Sequence, residues 1–225
     1  LYVLINGIWL HDIGMSSLKK EQDAFERRRI HGRLSALKIK NDPDLNSKIF
    51  PEFIKAIGQI CMYHQSNSPI DEEHIKLLGE RKLKQNPIKE AITIKFENLE
   101  KNIRLRFLAA ILSLADAIDI GEHRIEGLNI STLKSEYIEY MNKVYNANIN
   151  QEQSERHFKK HEAIENIIFR NKEIILEDPF DGADDEIREW ALEGKKQITD
   201  ELERCNRVFE KFGITDLLIR LDYEK

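Results

Sequence analysis

LYVLINGIWLHDIG, from Leu1 to Gly14, runs almost wholly apolar for ten residues and then sets His11 beside Asp12. Tyr2 to His11 reads as the last turns of a buried helix, apolar on nearly every side. Gly14 suits a helix stop. A histidine and a carboxylate at the end of such a helix need partners, because charge is costly to bring out of water alone.

Four further segments read as helices. Lys20 to Lys40 carries Phe25, Ile30, Leu34, Leu37 and Ile39 at a loose helical period, with His31 inside it. Phe50 to His64 has Phe53, Ile54, Ile57, Ile60 and Cys61 on one face, and Pro51 in a first turn, where proline is tolerated. Leu99 to Ile120 carries a buried stripe of Phe107, Leu108, Ile111, Leu112, Ala115, Ile118 and Asp119, with Asp116 in the same helix. Asp185 to Phe212 is amphipathic, marked by Ile187, Trp190, Ala191, Ile198, Leu202, Cys205 and Phe209, and Gly213 ends it. Trp190 and Phe209 read as core. Between the last two helices, Asn166–Asn171 and Glu173–Glu177 read as a hairpin around Asn171 and Lys172, with Leu217–Asp222 as a third strand. Lys82 to Lys95 shows no clear period. The expected fold is mainly α: a helical domain over residues 1–125, then a small C-terminal α+β appendage over residues 126–225.

Composition agrees. Hydrophobic residues make up 41% and charged residues 33%, while 10 glycines and 5 prolines favour long regular elements. Two cysteines, Cys61 and Cys205, are too few for a disulfide framework, so a reduced, cytoplasmic setting is expected. No apolar run reaches membrane-spanning length, and no basic start marks a signal peptide. The first residue is Leu, so further sequence is expected upstream. The net charge of −5 argues against whole-surface nucleic-acid binding. Met15 to Lys40, however, holds eight basic residues against three acidic ones, a local field suited to an anionic substrate.

The chemistry rests on His11, Asp12, His31, His64 and Asp116. Imidazole and carboxylate are good ligands for divalent first-row metals. Asp116 sits inside the most apolar helix, where a carboxylate needs a counter-charge or a metal. Arg28 lies one turn from His31 and is placed to clamp a phosphate. Asp119 and Arg124 can pair at the end of the Asp116 helix, and Arg124 is a second candidate for substrate contact. Ser35 and Ser113 lack a nucleophile elbow, which disfavours acyl transfer. The chain has no phosphate-cradling glycine loop. His74, His123, His157 and His161 read as surface or structural.

His-Asp-Ile-Gly-Met at residues 11–15, together with Leu-Ala-Asp-Ala-Ile-Asp at 114–119, resembles the HD superfamily of metal-dependent phosphohydrolases. More narrowly, the chain resembles the HD-CE group, whose HD domain is often joined to a GHKL-type ATPase module. The matching stretches are Trp9–Met15, Arg28–Ser35, Ile57–His64 and Leu105–Ile120 with Arg124. Arg156–Glu177 looks like the group's C-terminal extension. The resemblance implies an HD-type helical domain whose ligands are His11, Asp12 and Asp116, with His31 and His64 matching the extra histidines of binuclear members. It implies one or two divalent ions (Mn, Fe, Co, Ni, Zn or Mg) and Asp12 as the catalytic carboxylate. It also implies a nucleotide or other phosphate ester as substrate, and an ATPase module as partner in a longer protein. The family carries one further His before the pair, and none of residues 1–10 is His. A non-catalytic regulatory or scaffold module and a metal-dependent nuclease are the alternative readings.

Overall fold

The computed structural model describes residues 1–16, 24–70, 87–120, 159–177, 185–215 and 217–221. Its elements are α1 (Tyr2–Leu10), a short 3-10 turn (Ile13–Ser16), α2 (Ala24–Asn41), α3 (Pro43–Asn46), α4 (Pro51–Tyr63), β1 (Ile92–Phe96), β2 (Leu99–Ile103), α5 (Leu105–Ile118), β3 (Asn166–Arg170), β4 (Glu173–Glu177), α6 (Asp185–Glu210) and β5 (Leu218–Leu221). The fold is mainly α with a small sheet towards the C-terminus. No helix among the described residues is long and apolar enough to cross a membrane.

Helix α4 is the centre of the packing. Its inward face of Phe53, Ala56, Ile57, Ile60 and Cys61 is buried, and α1, α2 and α5 all lie against it. Fully burying one such aliphatic side chain is worth roughly 1.5–3 kcal/mol, so these crossings fix where the ends of α1, α2, α4 and α5 meet. Three glycines let the crossings close up. A Cβ on Gly7 would stand 2.4 Å from Ile60 Cδ1, and one on Gly32 would stand 2.6 Å from the Cys61 carbonyl. A Cβ on Gly14 would stand 2.5 Å from Ser35 N and 2.6 Å from the His31 carbonyl. Gly14 therefore serves close approach to α2, rather than the helix stop expected of it.

The expected helix over Leu99–Ile120 starts only at Leu105. Leu99–Ile103 is a strand that pairs antiparallel with Ile92–Phe96, in a register that places Phe96 opposite Leu99. Glu97 and Asn98 form its turn at positive φ, 50° and 61°, the geometry that tight hairpins favour. The inward positions Ile92, Ile94 and Phe96 alternate with outward ones, and Phe96 packs edge-on against Phe50 and Phe53. The apolar stripe of α5 masked this period-two signal just before it.

The C-terminal elements follow the expectation more closely. The β3–β4 hairpin turns at Asn171 and Lys172, both at positive φ. β5 joins β4 in parallel. Helix α6 ends at Glu210, with Gly213 at φ +74° and Ile214 N donating back to the Phe209 carbonyl at 3.1 Å, a left-handed cap of the kind glycine favours. Helix α6 packs along α5, and its Ile198, Leu202, Cys205, Val208 and Phe209 belong to the same buried cluster as the α4 and α5 side chains. The expected boundary near residue 125 lies outside the described residues, as do Arg124, His74, His123, His157 and the start of the second helix before Ala24.

The glycine contacts give opposite signs for two alanine substitutions. Gly14→Ala forces the 3-10 turn away from α2 and is expected to cost about 1–3 kcal/mol, as overpacking does. Gly58→Ala meets nothing nearer than 3.7 Å in mid-helix, and is expected to gain up to about 1 kcal/mol from helix propensity. Urea unfolding of both variants measures this; equal effects would contradict the packing described.

Candidate metal centre

Five side chains from four segments meet where α1, α2, α4 and α5 come together. His11 caps the end of α1, and Asp12 follows it. His31 lies in α2, His64 caps α4, and Asp116 lies in the last turn of α5. His11 Nε2 stands 3.3 Å from Asp116 Oδ1 and 3.5 Å from Asp12 Oδ2. His31 Nε2 stands 3.2 Å from Asp12 Oδ1, and His64 Nε2 stands 3.8 Å from Asp116 Oδ2. The His31 and His64 Nε2 atoms face each other at 2.9 Å.

The outer nitrogen of each imidazole lies against a backbone carbonyl. Nδ1 of His11 lies 2.8 Å from the Ile8 carbonyl, that of His31 2.6 Å from the Arg28 carbonyl, and that of His64 2.6 Å from the Cys61 carbonyl. A carbonyl can only accept, so the Nδ1 of His11 and of His64 carries the proton and donates, whereas Nδ1 of His31 meets both the Arg28 carbonyl and, at 3.0 Å, the Gln65 amide nitrogen. All three Nε2 atoms are then turned inward. Gln65 supports the arrangement: its amide donates to the Arg28 carbonyl at 2.8 Å and accepts from Gly32 N at 2.9 Å. Locking one ring nitrogen to a carbonyl or carboxylate while the other faces a metal is the usual arrangement around metal-ligating histidines.

The donors divide into two overlapping groups: His11, His64 and Asp116; and Asp12, His31 and His64. Within each group the ligand atoms lie within 4.8 Å of one another. The donor set fits a divalent cation, since two inward lone pairs at 2.9 Å repel unless a positive charge or a proton lies between them. His64 has one inward nitrogen, so it can serve only one group at a time. Asp12 presents one oxygen towards His11 and the other towards His31.

Electrostatics divides the imidazoles. For His11, burial opposes the charge, but the Asp116 hydrogen bond and the nearby Asp12 and Asp116 carboxylates outweigh it and push its pKa up to about 9. His64 goes the other way. Its burial dominates, the Asp116 charge only partly offsets it, and its pKa falls to about 4. Asp116 is half-buried, which resists ionisation, yet the His11 hydrogen bond and the surrounding imidazoles hold it below the ordinary carboxylate range. At neutral pH the cluster therefore contains an ionised Asp116 against a protonated His11, beside a neutral His64.

The five expected ligands are thus brought together. Arg28 is exposed one turn before His31, and what it gives the cluster is its backbone carbonyl. Several supporting residues carry no obvious sequence signal. The Ser35 hydroxyl donates to the His11 carbonyl at 2.5 Å and accepts from Gly14 N at 2.8 Å, stitching the His-Asp turn to α2. Ser113, Glu201 and Arg204 form a buried polar group behind His64. Glu201 was detectable, as a carboxylate within the apolar stripe of α6 with Arg204 three residues on. A cleft of about 710 Å³ opens from His31, His64 and Asp116 towards α6, where Lys160, Lys196, Asp200 and Arg207 line it.

The HD-CE family model matches residues 1–204 of this chain. No curated protein and no solved structure matches it significantly.

The raised pKa of His11 sets a pH dependence. Below about 9 His11 holds a proton on the nitrogen that would face a cation, so binding must displace it. The apparent affinity for Mn²⁺ is expected to rise between pH 7 and 9, by close to tenfold per unit for a one-proton exchange, and to level off above 9. Calorimetric titrations across that range check it; a flat profile would contradict a protonated His11.

Proposed function

Because this chain belongs to the HD-CE family, we propose that it is a metal-dependent phosphohydrolase that cleaves a phosphate ester, with nucleotides as the first candidate substrates. The observation that carries this reading is the convergence of three Nδ1-anchored histidines on two carboxylates, with every Nε2 turned inward. His11, His31, His64, Asp12 and Asp116 would hold one or two divalent ions. A cation bound there supplies Lewis-acid polarisation of a phosphoryl oxygen and acidifies a water molecule.

The chain's own groups fit the remaining tasks. Asp12, the catalytic carboxylate that the family resemblance implies, is the more exposed of the two, 51% against 37% for Asp116, and would accept a hydrogen bond from a water bound at the cation. Asp116 is held ionised and completes the ligand set from the side that lines the cleft. The cleft beyond the cluster is lined by Lys160, Lys196 and Arg207 together with Glu193, Asp200 and Glu203, and Lys160 is paired with Glu193 at 3.2 Å, so a phosphate ester would meet walls of mixed charge there. Exposed Arg28, Arg29 and Arg33 on α2 add to the positive field near His31. Arg124, outside the described residues, stays a candidate for substrate contact, and a GHKL-type ATPase module stays the candidate partner domain.

The reading is tested by phosphate release from a panel of nucleotides and p-nitrophenyl phosphate with Mn²⁺ present. Asp12→Ala and Asp116→Ala are each expected to lower turnover by roughly a hundredfold or more, the range for removal of a positioned proton acceptor or comparable group, while circular dichroism shows the helices intact. Unchanged turnover in both folded variants, or no metal bound by the wild-type chain, would sink it.

A further inference from the structure

Behind His64 lies a polar group that the proposed chemistry does not use. Arg204 and Glu201 of α6 are 6% and 7% exposed, and Ser113 of α5 is 2% exposed. Arg204 Nη2 donates to the His64 carbonyl at 3.0 Å, and Nη1 donates to the Ser68 carbonyl at 3.2 Å. Its Nε donates to Glu201 Oε1 at 2.8 Å. The Ser113 hydroxyl accepts from Arg204 Nη2 and donates its single proton towards the Glu201 carboxylate or the His64 carbonyl. One planar guanidinium thus spans the turn from His64 to Ser68, and through Ser113 it is joined to α5 three residues before Asp116.

The location has two consequences. The His64 carbonyl belongs to the C-terminal end of α4, where carbonyls lack partners within the helix and the helix dipole favours a cation. A fixed planar fork can hold two carbonyls and a carboxylate together, which a lysine ammonium on a flexible stem does not do in the same geometry. Glu201 supplies the counter-charge without which the buried guanidinium would be strongly unfavourable. His64 is also the one residue common to both ligand groups, so whatever sets its backbone affects each.

We propose that Arg204, held by Glu201 and acting through Ser113, is a positioning residue of the metal centre that fixes the His64 backbone relative to Asp116, making the C-terminal helix α6 a working part of the site. This rests on the metal-centre reading above.

The test is calorimetric titration of the 225-residue chain with Mn²⁺, with thermal unfolding of the metal-free protein followed in parallel. Glu201→Leu combined with Arg204→Met removes both charges together, so no unpaired charge is left buried. Ser113→Ala is a milder variant that leaves the Arg204–Glu201 pair in place. The double variant is expected to bind Mn²⁺ about 10–100-fold more weakly, the range for loss of groups that orient metal ligands. Ser113→Ala is expected to weaken binding in the same direction by less, with helical content unchanged. Arg204→Lys is expected to restore only part of the affinity. Wild-type affinity in Ser113→Ala, and in a folded double variant, would overturn the proposal even with the metal-centre reading intact. No binding by the wild-type chain would overturn both. If the double variant does not fold, Ser113→Ala and Arg204→Lys decide the matter by themselves.

Discussion

The Nε2 atoms of His31 and His64 stand 2.9 Å apart with their outer nitrogens committed to backbone carbonyls, and much of the fold serves to keep them there. Two imidazole nitrogens at that distance repel unless a proton or a cation lies between them. Here, rings from different helices are held in place because each Nδ1 contacts the backbone carbonyl three residues earlier. The cost of facing lone pairs is set against the packing of α2 on α4, so the cluster is kept in a form that a cation would relieve.

That packing depends on the absence of side-chain atoms at a few points. Gly32 lets α2 meet the Cys61 carbonyl, and Gly14 lets the His-Asp turn sit on the backbone of α2. Ser35 closes the same contact by bonding to both ends of the turn. The carboxylates then arrive from two elements: Asp12 on the turn after α1, and Asp116 from α5, which packs on both α4 and α1. Helix α6 lies behind α5, where Arg204 bonds the last carbonyl of the α4 end. Fold and site are therefore hard to separate, since the same helix crossings that bury Ile57, Ile60 and Leu112 also set the distances between ligands.

Much of this was legible in the sequence, for physical reasons that differ by residue. Asp116 stood out because an apolar stripe with a carboxylate in it demands a partner. His11 and Asp12 stood out because a greasy helix ended on them. The hairpin at Asn171 was readable from two short β-branched runs flanking a turn residue. The β1–β2 hairpin was not read, because its turn uses Glu97 and Asn98 without glycine, and because the strong helical stripe of α5 begins only two residues after Ile103. Gly14 was misread as a stop, since close approach to a distant helix leaves no trace in local pattern. The roles of Ser35, Ser113 and Arg204 depend on carbonyls far away in the chain, and no local spacing announces such bonds. Arg28 shows the same limit in reverse: its place one turn from His31 was legible, whereas the bond of its carbonyl to the His31 ring was not.

The central claim is that the five donors form a metal centre, and anomalous X-ray diffraction from crystals grown with Mn²⁺ tests it most directly. The account predicts an anomalous peak within ligand distance of His64 Nε2 and Asp116, with a second one towards Asp12 and His31 if two ions bind. Well-ordered side chains of His11, His31, His64, Asp12 and Asp116 with no anomalous density among them, at saturating Mn²⁺ and a pH above 9, would contradict it.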